Sequence, residues 1–145
     1  MMINESVVSM WATAISTNSS NGRKMFWRYA KEFRPVFDRQ DQPHRIIIVW
    51  KYQSDTGQPL SEDHRMMNQL EDALETTLDG RFATLALVST GENLREWTYY
   101  AKSEDEFLQR LNIALYGMAE FPIEIHTADD PAWSMYQEFK SGVKE

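Results

Sequence analysis

Apolar positions recur along the chain with two different periods, and the switches between them mark out the elements. Val7 to Thr17 is rich in β-branched and small residues around Trp11, and Asn18-Ser19-Ser20-Asn21-Gly22 follows, a cluster whose Asn and Gly tolerate the positive φ of a tight loop. In the returning strand Met25, Trp27 and Tyr29 alternate with Lys24, Phe26 and Arg28. Arg34 to Pro43 is a polar run bounded by prolines and reads as a loop. Arg45 to Tyr52 carries Ile46-Ile47-Ile48-Val49-Trp50 without alternation, the pattern of a strand covered on both faces.

The period then lengthens. Met67, Leu70, Leu74 and Leu78 recur at spacings of three and four, predicting a helix capped by Ser61 and stopped at Gly80, with Glu71, Asp72 and Glu75 off its buried stripe. Phe82 to Thr90 and Leu94 to Ala101 form a hairpin across Gly91-Glu92-Asn93. Ser103 and Glu106 make a capping box for a second helix with Phe107, Leu108, Leu111, Ala114 and Leu115 on its stripe. Phe121, Ile123 and Ile125 alternate in a last strand, placed at an edge because Pro122 cannot donate to a ladder. Asp130 as cap and Pro131 at the first helical position predict a terminal helix with Trp133, Tyr136 and Phe139 on one face.

The order β-β-β-α-β-β-α-β-α predicts an α+β fold: a ferredoxin-like β-α-β-β-α-β sheet with an added N-terminal β-hairpin and a C-terminal helix. No repeat, linker or low-complexity tract divides the chain, so residues 1–145 are read as one domain.

Composition narrows the chemistry. Cysteine is absent, which removes disulfides, thiolate metal sites and thiol nucleophiles together. No signal peptide or membrane helix is expected, so the reading is a soluble, cytoplasmic protein. The net charge of −7 is unevenly placed: residues 23–51 carry eight Lys/Arg and three Asp/Glu, residues 52–145 seven and eighteen. A basic segment beside an acidic remainder, with Trp11, Trp27 and Trp50 nearby, predicts self-association as a homodimer, with Lys24, Trp27 and Arg28 as the candidate basic interface.

His44, His64 and His126 lie in different elements, and no GxGxxG, GxxxxGK[ST], GxSxG or HExxH occurs, so neither metal nor cofactor is expected. Cations interleave with aromatics along Lys24 to Arg34 and along Arg95 to Tyr99, the composition of a nucleic-acid platform, but the acidic remainder repels phosphate and no nucleic acid is expected as a partner. Alternation sends Arg95 and Trp97 to one face of their strand and Glu96 to the other. Arg95 is expected to meet a carboxylate at Glu71, Asp72, Asp129 or Asp130 and to lie against Trp97 or Trp133. That arrangement is read first as structural and otherwise as a ligand site of Arg95, Glu96, Trp97, Glu71, Asp72, Asp130 and Trp133.

Gly57-Gln58-Pro59, Leu70-Glu71-Asp72, Arg95-Glu96-Trp97 with Tyr100, Phe107, Leu111-Asn112, and Asp130-Pro131 with Trp133 and Tyr136 together resemble a bacterial family known only as a domain of unknown function, number six hundred and ninety-five in that series. The resemblance runs from about Trp11 to Phe139. Members are sometimes fused to a domain like the ribonuclease E inhibitor called regulator B, which implies a regulatory or protein-binding role by analogy. The family brings no catalytic residues. The expectation is therefore a non-enzymatic interaction or regulatory module with a protein partner, the alternative being a small-ligand binder or enzyme that uses Arg95 with helix carboxylates.

Overall fold

The computed structural model describes residues 7–78 and 81–144. In chain order it contains β1 (Val8–Thr17), β2 (Lys24–Phe33), a 3-10 turn (Arg39–Asp41), β3 (His44–Lys51), α1 (Ser61–Thr77), β4 (Ala83–Gly91), β5 (Leu94–Ala101), α2 (Glu104–Leu115), β6 (Ile123–Asp129) and α3 (Ser134–Ser141). The strands form one six-stranded sheet of order β1-β2-β4-β5-β3-β6 in which every neighbouring pair is antiparallel. The fold is α+β. β5 stands between β3 and β4, and β3 between β5 and β6, so each β-α-β crossover skips one strand.

Alternation decides which side chains meet which helix. Ile46, Ile48 and Trp50 of β3 and Trp97 and Tyr99 of β5 share one core with Met67, Leu70 and Leu74 of α1 and Phe107 and Leu111 of α2. We call this the helical face. Tyr100 leaves β5 on the other side and packs with Val8, Trp133 and Tyr136 under α3, which we call the back face. The unalternating run of β3 is explained by this double covering, since Val49 on the back is also buried.

Two sequence expectations about ends shift, and a third falls outside the described residues. Ser61 is the first helical residue and not the cap, because Leu60 holds that place in extended backbone with no side-chain bond. The Gly80 stop lies outside the described residues, and α1 closes on extended Leu78. The terminal helix begins at Ser134, later than Pro131, because Trp133 adopts a left-handed conformation with φ 55. Asp130 nonetheless accepts the amides of Ser134 and Met135 at 2.8 and 3.2 Å, so it caps across a longer turn than expected. The Ser103 cap is in place, its hydroxyl accepting from the Glu106 amide.

The β4–β5 turn needs two consecutive positive φ values, and Glu92 and Asn93 supply them at 53 and 63. Gly91 precedes them against β2: a Cβ there would stand 2.7 Å from the Lys24 carbonyl oxygen and 3.1 Å from the Met25 Cα, backbone atoms that cannot swing away. Gly91→Ala is expected to destabilise the fold by about 1–3 kcal/mol, seen as a lowered urea midpoint with an unchanged slope.

Candidate functional site

The sequence-predicted site residues divide between the two faces. Asp130 and Trp133 belong to the back. There the Tyr100 hydroxyl donates to Asp130 at 2.8 Å, Arg45 lies 3.5 Å from the same carboxylate, and Trp133 stacks on Tyr100 with ring centroids 4.1 Å apart while its Nε1 donates to the Gln42 carbonyl. Burial pushes the Asp130 carboxyl up, but the Ser134 amide, the Tyr100 hydroxyl, the Met135 amide and the Arg45 charge outweigh it, and the net shift is downward. Glu96 points away from the helical face, and Asp72 is exposed on α1. Neither joins Arg95.

Arg95, Trp97 and Glu71 do meet, on the helical face, with Arg28 among them. Glu71 Oε1 accepts from both Arg28 Nη2 and Trp97 Nε1, the latter at 2.9 Å. Glu71 thus takes Arg28 as its ion-pair partner and not Arg95. Arg95 lies over the Trp97 ring at 5.6 Å, and its Nε donates to Thr90 Oγ1 at 2.8 Å. Among the described residues Arg95 forms no ion pair. Burial lowers the pKa of its guanidinium; the Glu71 charge acts against that shift and the Arg28 charge adds to it.

Arg28 was readable as basic, but its meeting with Glu71 depends on β2 joining the sheet beside β4, with Arg28 opposite Val88. Nothing local in the sequence states that register. The same pairing sets up a row Ile15, Phe26, Thr90, Arg95 across four strands. Ile15 and Phe26 are 60% and 41% exposed, and Trp11, which Arg28 overlies at 5.7 Å, is 40% exposed. The helical face is therefore open at its β1–β2 corner: three large apolar side chains beside two guanidinium groups and one carboxylate.

Of the basic trio, Lys24 and Arg28 share this face, whereas Trp27 turns to the back and packs on Phe139 of α3 at 4.9 Å. Four of the eight cations of residues 23–51 are used within the chain, since Arg23, Arg28, Arg45 and Lys51 pair with Glu92, Glu71, Asp130 and Glu124. A cavity of about 400 Å³ also brings Arg34, Arg81 and Lys102 near Asp38 and Asp41, a grouping from three distant segments that the sequence does not announce. Among the described residues no group of three His, Cys, Asp or Glu side chains is gathered to hold a metal ion, and no helix is long and apolar enough to cross a membrane.

These features define an antiparallel α+β sheet domain with one face fully built over by α1 and α2 except at a cationic, aromatic corner. The model of a family of unknown function, DUF695, matches residues 10–140, and the chain belongs to that family. No curated protein matches it.

Proposed function

We propose that this domain is a non-enzymatic interaction module, and that the open corner of the helical face receives an acidic, partly apolar segment of a protein partner. One observation carries the reading: Arg95 is partly buried and held by Thr90 and Trp97, yet has no carboxylate of its own among the described residues, because Arg28 takes Glu71. A guanidinium fixed in that way presents its remaining N–H groups at little entropic cost, and an incoming carboxylate supplies the bidentate partner it lacks. Ile15 and Phe26, in one row with Arg95, and Trp11, under Arg28, give the apolar contact. Catalysis is the weaker reading, since the one carboxylate at this corner is already bonded twice through Oε1.

The test is a titration, followed by tryptophan fluorescence and amide chemical shifts, with an end-capped peptide of alternating Glu and Phe and with its Gln counterpart. Saturable binding of the acidic peptide, shifts centred on Trp11, Phe26 and Arg95, and a loss of about tenfold or more in Arg95→Gln are expected, one charge-assisted bond being about 1.5–3 kcal/mol. Equal binding of both peptides, or binding indifferent to Arg95→Gln, would overturn the reading.

A further inference from the structure

The sheet ends on two very different edges. β6 is short, carries Glu124, His126 and Asp129, and its Glu124 is held by Lys51 from the neighbouring strand. Charges and brevity of that kind discourage another strand from adding. β1 has none of them: its ten residues, VSMWATAIST, contain no charge and no proline. Among the described residues, its outer side is a run of backbone groups with no strand beside it.

Which amides face outward follows from the hairpin. Asn18 N–H donates to the Arg23 carbonyl and Asn18 C=O accepts from Gly22, so Asn18 turns its backbone toward β2. Antiparallel ladders alternate, and the register from Thr17 opposite Lys24 back to Trp11 opposite Ala30 is unbroken. Ser16, Ala14 and Ala12 therefore bond to β2, while Thr17, Ile15, Thr13 and Trp11 aim N–H and C=O away from the sheet.

We propose that a second copy of this chain adds along β1, its own β1 antiparallel to the first about a two-fold axis at Thr13. This goes beyond the docking function above, and it draws Trp11 and Ile15, at the rim of the helical-face corner, into the joined strands. The occupant is argued from self-complementarity. With Thr13 opposite Thr13, Trp11 of each copy stands opposite Ile15 of the other on the helical face, an aromatic to β-branched pair, and Ala12 stands opposite Ala14 on the back. The outward amides of Trp11, Thr13 and Ile15 find acceptors on the other copy, and no charge meets a like charge on the joined strands. The self-association expected from charge asymmetry is thus given a different basis, an uncharged strand edge, since four of the eight cations of residues 23–51 already pair within the chain.

Sedimentation velocity of the full chain over a concentration series should show a monomer–dimer equilibrium that is insensitive to salt. Thr13→Pro removes an outward donor and no bond to β2, and it should weaken the dimer by tenfold or more. Thr13→Lys, which sets two cations on the axis, should do the same and serves if the proline variant does not fold. In the wild type, amide exchange at Trp11, Thr13 and Ile15 should slow as concentration rises, while Ala12 and Ala14 stay unchanged. A monomer at every concentration, or a dimer untouched by both variants, would overturn the proposal.

Discussion

Replacing Trp133 by alanine is expected to destabilise the fold by about 3–5 kcal/mol, the range for removing a large aromatic from a closed core. Trp133 is fully buried and sits at the centre of the back-face cluster, parallel to Tyr100 and edge-on to Phe33, Phe37 and Tyr136. Its indole N–H also holds the carbonyl of Gln42, so the substitution opens a cavity and removes a hydrogen bond to the loop between β2 and β3. The residue sits at φ 55, a conformation that costs an L side chain about 1–2 kcal/mol. Packing outweighs that strain in the wild type. Once the ring is gone only the strain remains, so Trp133→Gly should be no less stable than Trp133→Ala, the reverse of the usual order in a helical or extended site. Urea midpoints of the two variants against the wild type check both statements, and a wild-type midpoint in Trp133→Ala would show that the cluster holds nothing together.

The same residue explains much of what the sequence does and does not reveal. Element types were legible because each is written locally: the threes and fours from Met67 to Leu78 in α1, the Ser103 cap of α2, and the Gly91-Glu92-Asn93 turn. Asp130-Pro131 carries an equally good helix start, yet α3 begins at Ser134, since stacking on Tyr100 and bonding to Gln42 outweigh local preference at Trp133. Alternation correctly puts Arg95 with Trp97 and Glu96 opposite. What period alone cannot supply is the partner across the sheet. Arg28, Glu71 and Trp97 come from β2, α1 and β5, and they meet only because β2 joins at β4. For the same reason Asp130 and Trp133, which residue type alone groups with Arg95, lie through the sheet from it.

Asp130→Ala is expected to be comparably damaging, by about 3–5 kcal/mol at neutral pH, because it removes one side of a largely buried ion pair. Its carboxylate is 6% exposed as a residue and gathers the Tyr100 hydroxyl, the Ser134 and Met135 amides and the Arg45 guanidinium. Among the described residues Arg45 Nε is buried without a hydrogen-bond partner, and Asp130 is the carboxylate that pairs with that guanidinium beneath the β3–α3 junction. Burial alone would raise the Asp130 pKa, but the bonds from Ser134, Tyr100 and Met135 and the Arg45 charge bring it below its ordinary value. The sign of the pH effect follows. A carboxyl whose folded pKa lies below its unfolded value, about 3.9, contributes stability that is fully present above that unfolded value. The contribution is lost as pH falls from there through the folded pKa, where the carboxyl takes up its proton in the native state as well. Asp130→Asn keeps the shape and some acceptor capacity while removing the titration, so it isolates this part of the acid limb. Glu62 and Glu124, also depressed by Arg65 and Lys51, titrate in both proteins and cancel in the difference. Urea denaturation of wild type and Asp130→Asn at a series of pH values should show a constant gap above about pH 5 that narrows steadily below about pH 4. A gap of the same size at pH 3 as at pH 7 would mean that the carboxylate charge contributes nothing to holding α3 against Arg45 and Tyr100.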